Sequence, residues 1–553
     1  MHQSRVYLQF DLRCLIEAIL KKSQLPILIF FTIFCTFLLR NFVYYPGDLE
    51  PSFYQTVAYS MLPDAGFLPN PISNDVIIKA GYFNRLLHIY DLAIWQHFRP
   101  VGFSRADIFY YREYFYSGLC GFLSALIVWV GVRSFLAGLG TLVIFYSVSF
   151  MEYRSTMLPE LLLMVIFQLT TLVFVFALKK RSIWLLAIGL ATSLLSVKTK
   201  ETGIVLVFSS GLLVLYCLWK WSKGKSAIFK VFATATIIFS AMLIIFDSYF
   251  TQNPLFSLTP GNYLRSADAH GSVTNPNIRF GAKLWAYTSD ISMTYYWPIL
   301  KAQLNQRYLQ LSMLILGVFF AIVGKSESTI LLRYCTTIFA TQFVFLNLLA
   351  SFKIPVDSAV PVYFSNLQGT YSIITALGVF EAVQYFRSKI CKLKHGELPK
   401  QAIRFAGVTA TSIFLTFVCV NFSQRNNDKY IHKMFTKSAA AEIFFPILAK
   451  IPTVTTFNEP ILLGSSWYVE GINLMAAAYW PKSLSPRQIY LDNPRIFEDL
   501  TPEMLYSCRP ILIENPILEK HSQFFFEHDR LVISQTNSAS LLLCSRHSSS
   551  FKQ

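Results

Sequence analysis

Asp48 and Glu50 stand two residues apart in the segment Tyr44-Tyr45-Pro46-Gly47-Asp48-Leu49-Glu50-Pro51. Pro46, Gly47 and Pro51 oppose a helix there, and in an extended segment residues two apart point the same way. Two carboxylates on one side can take a proton from an alcohol, bind a divalent cation, or divide those tasks. The plainer reading is that one of them caps a helix expected over 52–62, with Pro51 at its first position.

A second set of candidates is cationic. Lys198 and Lys200, in Lys198-Thr199-Lys200-Glu201, can bind a phosphate through charge-assisted hydrogen bonds. Alternatively, they snorkel to lipid headgroups. Arg154 joins them as a third candidate, and its competing partner is Glu160 in a mutual salt bridge. Lys353 reads as an interfacial anchor and His270 as a solvated loop residue. The cysteines form no CxxC pair, so a metal or redox centre is not expected. Cys508 and Cys544 fall near the C-terminus, where a disulfide can form.

These residues need elements to position them, and the composition says which kind. The 553 residues are 54% hydrophobic and only 14% charged, against about a quarter charged in an average soluble domain. A soluble chain of this length could not hide so much apolar surface, so the bilayer is the expected solvent. The net charge of +17 suggests nucleic acid at first sight. The cations cluster in short loops between apolar runs instead, as membrane orientation requires, and no nucleic-acid partner is expected.

Apolar runs fall near 25–39, 114–132, 134–150, 158–178, 182–197, 203–219, 228–246, 308–323, 330–351, 362–384 and 404–422. They predict an all-α polytopic bundle of about eleven membrane-spanning helices. The first run lacks a small-residue cleavage site and reads as a retained helix. Cations occupy alternate loops: Lys21 and Lys22, Arg133, Lys179 to Arg181, Lys220 to Lys230, Lys325, and Arg387 to Arg404. The expected topology has residues 1–24 in the cytoplasm, a transmembrane domain over 25–422, and a soluble external domain over 423–553. Lys198 and Lys200 break the pattern, being cations in a loop expected to be external.

The external loop 41–113 is too polar to span. It holds two amphipathic stretches, 52–62 and 77–98, expected to lie at the membrane surface. The C-terminal region shows strand-like runs at 461–464, 488–491, 510–514, 530–534 and 540–544, with a helical stretch at 467–479. That pattern predicts a small α/β domain.

The order of motifs resembles a family. An acidic pair follows the first helix, Arg-Ser-Thr-Met-Leu-Pro-Glu (154–160) opens the fourth, Lys-Thr-Lys-Glu-Thr-Gly (198–203) opens the sixth, and Phe-Lys-Ile-Pro (352–355) precedes the tenth. Over about residues 25–385 this resembles the GT-C integral-membrane glycosyltransferases, in the protein O-mannosyltransferase and aminoarabinose-transferase branch. Several branches carry two adjacent acids where this chain has Asp-Leu-Glu. The resemblance implies a polyprenyl-phosphate sugar donor, a lipid, glycan or protein acceptor, and inverting transfer at an external face. It points to Asp48 or Glu50 as the base, to Lys198, Lys200 and Arg154 at the donor phosphate, and to a divalent metal as a candidate cofactor. The expected location is a bacterial inner membrane. The rival readings are a flippase for lipid-linked saccharides, which would need ionisable residues within spans that read as nearly free of acids, and a non-catalytic scaffold.

Overall fold

The computed structural model describes residues 24–37, 85–97, 105–147, 159–259, 308–324, 327–351, 366–392, 461–464, 487–490, 511–535 and 539–544. Asp48, Glu50, Arg154, His270, Lys353, the expected helices at 52–62 and 467–479 and the run at 404–422 lie outside these residues.

The described helices are α1 (Gln24–Phe37), α2 (Leu86–His97), α3 (Arg105–Val132), α4 (Phe135–Ser147), α5 (Glu160–Lys180), α6 (Ile183–Leu195), α7 (Ile204–Lys220), α8 (Lys225–Phe250), α9 (Tyr308–Val323), α10 (Glu327–Ser351) and α11 (Gln368–Lys392). Each apolar run expected between 25 and 384 falls on one of them. By length and composition, Tyr111–Val132, Glu160–Lys180 and Lys225–Phe250 suffice to cross a membrane. The apolar stretches Gln24–Phe37, Leu86–Trp95, Phe135–Ser147, Ile183–Lys198, Ile204–Lys220 and Leu314–Val323 are shorter. The architecture is a mostly helical, membrane-associated bundle.

Two turns share one design. Arg133 and Arg181 adopt left-handed conformations, with φ of 57° and 48°. The serine that follows each one caps the next helix: Ser134 Oγ accepts from Ala137 N at 3.3 Å and Ser182 Oγ from Leu185 N at 3.4 Å. A left-handed residue stops one helix, and the serine starts the next. Consecutive helices are thereby reversed with almost no linker, and α3 packs on α4 as α5 packs on α6.

The core runs through α3, α5, α6, α7, α10 and α11, with Phe167, Phe174, Leu206, Ile338 and Tyr371 buried. Tyr334 lies edge-on to Phe174 at 5.4 Å, and its hydroxyl meets Ser210 Oγ at 3.0 Å. Gln342 and Asn366 exchange two amide hydrogen bonds at 2.8 and 2.9 Å. Helices α9 and α11 touch through glycines: a Cβ on Gly378 would lie 3.0 Å from the Gly317 Cα. Small residues let backbones approach in this way where lipid supplies no hydrophobic driving force. α8 differs from the core helices. Phe229, Ile237 and Ile245 are exposed along it, the pattern of a lipid-facing helix.

The C-terminal residues form a mixed five-stranded sheet of β1 (Ile461–Gly464), β2 (Arg487–Tyr490), β3 (Ile511–Glu514), β4 (Arg530–Gln535) and β5 (Ala539–Cys544), in order β2-β1-β3-β5-β4. β1 pairs parallel with β2 and β3, and β5 pairs antiparallel with β3 and β4. All five strand-like runs are strands to within a residue. Two short helices, α12 (Asn515–Lys520) and α13 (Ser522–Glu527), follow β3 where none is expected. Cys544 is disulfide-bonded, and its other half lies outside the described side chains.

Candidate functional site

The turn joining α6 to α7 carries Lys198 and Lys200, and it folds back on itself. Ser196 to Lys198 and Glu201 to Gly203 form two short 3-10 turns. The Ser196 carbonyl accepts from Thr199 N and Lys200 N, both at 3.1 Å. Its hydroxyl reaches the Gly203 carbonyl at 2.8 Å. A Cβ on Gly203 would stand 2.2 Å from the Ser196 carbonyl oxygen, so the crossing requires glycine.

This turn sends the two lysines to different partners. Lys200 is buried and forms an ion pair with Glu160, the first residue of α5, which is buried too. Lys198 is half-buried, and its Nζ donates to the Ser257 carbonyl at 3.3 Å. Lys198 lies in the turn outside the spans. Burial pushes its ammonium down to about 8, while nearby Asp247 pulls the other way.

Asp247, near the end of α8, is fully buried. Its carboxylate accepts from Ser257 N at 2.6 Å and Ser257 Oγ at 2.7 Å. The Tyr90 hydroxyl of α2 lies beside it, and the Tyr90 ring stacks on Phe250 at 4.2 Å. The expected apolar run ends at 246, one residue short of this acid.

α2 packs against both the Lys198 turn and α3. Its sequence predicts an amphipathic helix lying at the membrane surface. The structure corrects the exposed polar face that this implies: Leu86, His88, Ile89, Tyr90, Asp91, Leu92 and Ala93 are all buried. His88 and Asp91 tolerate burial because α3 supplies their partners. Arg112, also fully buried, donates from Nε to Asp91 at 2.7 Å and from Nη1 to Glu113 at 2.9 Å. Its Nη2 lies 3.4 Å from the His88 ring. The Tyr116 hydroxyl donates to Asp91 and takes a bond from Trp95 Nε1 at 3.3 Å.

Arg112, Glu113, Glu160, Lys198, Lys200 and Asp247 thus belong to the N-terminal ends of α3 and α5 and the C-terminal ends of α6 and α8. With these helices antiparallel, that is one end of the bundle. The apolar runs read as nearly free of acids, yet Glu113 and Asp247 lie within helices α3 and α8. Among the described residues no three His, Cys, Asp or Glu side chains come together as a metal site. Asp48 and Glu50, which would hold a metal, lie outside them. Beside the charged end, α1, α2 and α3 form an apolar groove of about 610 Å³, lined by Ile33, Phe37, Trp95, Phe115 and Phe122 among others.

No family model and no curated protein matches the sequence. Solved structures do match the fold. ArnT from Cupriavidus metallidurans bound to undecaprenyl phosphate superposes with a TM-score of 0.52 at 11% identity, over 94% of this chain and 97% of that one. The archaeal oligosaccharyltransferase AglB from Archaeoglobus fulgidus, in complex with an inhibitory peptide and a dolichol-phosphate, gives 0.51 at 9% identity, over 95% and 75%. The apo oligosaccharyltransferase of the same organism gives 0.50 at 9% identity, over 91% and 71%. The chain has the GT-C fold. ArnT and the oligosaccharyltransferases match about equally, so the fold does not single out the branch that the motif order suggests.

Proposed function

We propose that the chain is a membrane glycosyltransferase that moves a sugar from a polyprenyl-phosphate donor to an acceptor hydroxyl, with about eleven spans and its site on the external side. One observation carries the reading. The chain shares the fold of a structure bound to undecaprenyl phosphate, and its own Lys198 and Lys200 stand on a hydrogen-bonded turn at the charged end of the bundle.

In this proposal, Lys198 meets the donor phosphate directly. Lys200, tied to Glu160, sets the shape of the turn and the local charge. Positioned cations of this kind stabilise charge developing on the leaving phosphate, often the largest catalytic term. Arg154, six residues before Glu160, is proposed as a third cation. The apolar groove formed by α1, α2 and α3 has the chemistry a polyprenyl chain requires. Asp48 or Glu50 removes the acceptor proton as the hydroxyl attacks the anomeric carbon, the polyprenyl phosphate leaves, and the configuration inverts. A divalent cation held by the same acids would supply further charge stabilisation. The disulfide at Cys544 suits a C-terminal domain in an oxidising compartment outside the cytoplasm.

Amide substitutions test the centre. Asp48→Asn and Glu50→Gln keep shape and folding, so thermal stability is expected to hold. Transfer from a polyprenyl-phosphate sugar is expected to fall by about 10²-fold or more at the base. Asn is itself a good helix cap, so a capping role for Asp48 predicts almost no effect of Asp48→Asn. Normal transfer rates in both variants would remove these acids from the mechanism.

A further inference from the structure

At the end of the bundle opposite the Lys198 turn, α3, α5, α7 and α10 leave a cavity of about 130 Å³. It lies a full helix length, roughly 30 Å, from Glu160 along α5. Three cations line it: Lys179 in the last turn of α5, Arg181 in the left-handed residue that ends that helix, and Lys220 at the end of α7. Lys179 donates to the Val130 carbonyl, one of the carbonyls that the end of α3 leaves without a helical partner. Arg181 and Lys220 have no carboxylate within 4 Å among the described residues. Lys220 lies over the Tyr216 ring at 5.9 Å. Glu381 reaches the rim, where it accepts the Ser328 hydroxyl. Among the described residues, three cations line the cavity and one carboxylate, Glu381, reaches its rim through Ser328.

Helix C-termini attract cations, and so does the face that the loop charges assign to the cytoplasm. That accounts for Lys179, which serves a carbonyl. It does not account for two further cations, from separate helix ends, lining one concavity. The volume is far below the about 300–1,000 Å³ of an ordinary ligand pocket. It admits a phosphate rather than a sugar or a nucleotide. Trp184 and Trp219, near the same helix ends, are 70% and 77% exposed, and tryptophan settles at headgroup depth. Below the cavity Leu212 and Leu215 are exposed on α7, an apolar face for acyl chains.

We propose that this cavity binds the phosphate of an anionic phospholipid from the adjoining leaflet, independently of the sugar-transfer site. The Arg181 guanidinium and the Lys220 ammonium meet the phosphate oxygens. The lipid then joins the α5–α6 turn to the ends of α7 and α10.

Native mass spectrometry of the full chain in neutral detergent, titrated with phosphatidylglycerol or phosphatidylcholine, tests this. Wild type is expected to retain phosphatidylglycerol in preference. R181Q/K220Q is expected to bind it roughly 100-fold more weakly, tenfold for each charge-assisted hydrogen bond removed, with unchanged melting in lipid-free detergent. K223Q/K225Q removes two exposed cations outside the cavity and is expected to stay within about threefold of wild type. Equal weakening in the two variants, or none in the first, would overturn the proposal. Displacement of the lipid by equimolar inorganic phosphate would also overturn it, by making this a site for the soluble anion. Should R181Q/K220Q fail to fold, the wild-type preference for phosphatidylglycerol decides alone, and its absence refutes the site.

Discussion

Lys200 and Glu160 bury one another, and this changes what a substitution at either residue measures. The spacing of Lys198 and Lys200 makes them look equivalent, so a double Gln variant invites reading as a pure loss of phosphate binding. Removing Lys200 alone takes this cation away from the buried Glu160 carboxylate, and breaking one partner of a buried pair costs about 3–5 kcal/mol. Lys200→Gln is therefore expected to lower thermal stability clearly, and Glu160→Gln/Lys200→Gln to recover most of it. Lys198→Gln, which loses a 3.3 Å bond to a carbonyl but leaves the Lys200–Glu160 pair in place, is expected to melt closer to wild type than Lys200→Gln while weakening donor binding. Equal melting of Lys200→Gln and wild type would show that the pair contributes no stability. The pairing is illegible in the sequence, because 40 residues separate Lys200 from Glu160 and only the packing of α5 beside the α6–α7 turn joins them.

At the scale of elements, α2 shows what periodicity can and cannot reveal. Leu86, Ile89, Leu92 and Ala93 announce a helix, and the helix is there. The same periodicity makes His88 and Asp91 look like a wetted face, since nothing local reveals Arg112 twenty-one residues on. Arg112 is the tie: its fork spans Asp91 on α2 and Glu113 on its own helix. Arg112→Met is expected to cost about 3–5 kcal/mol, because two buried carboxylates lose the Arg112 cation. Arg112→Lys should recover only part of this, since an ammonium lacks the planar fork. Melting curves for the two variants check both expectations, and wild-type melting in Arg112→Met would refute the role of the tie. Because α2 also packs on the Lys198 turn, weakened donor binding should accompany the loss of stability.

For the whole molecule, orientation is the property on which the proposed chemistry depends. Cations at Arg133, Lys179 to Arg181 and Lys220 to Lys225 share one end of the bundle; Lys198, Lys200, Glu113, Glu160 and Asp247 share the other. The positive-inside rule assigns the first end to the cytoplasm. A reporter active only in the cytoplasm is expected to work when fused after Lys225 or Lys394 and to fail after Ser423. Activity after Ser423 would mean that the span count is off by one, and everything C-terminal to the error would change sides.

Hydrophobicity and charge are properties of single segments, and the sequence alone determined what depends on them: the membrane as solvent, the position of each apolar helix from α1 to α11, the alternation of cationic turns and the five C-terminal strands. The motif order further pointed to the GT-C fold, which the superposition on ArnT supports. Tertiary structure decided everything that needs two distant segments. It joined Lys200 to Glu160, set Asp247 beside Lys198, sank α2 onto Arg112, and brought Gly317 against Gly378. It also gathered Lys179, Arg181 and Lys220 around one cavity. The physical reason is the same in each case. A buried charge or a close backbone approach is tolerable only when a specific partner meets it, and the chain supplies that partner from another helix, at a separation no local pattern encodes.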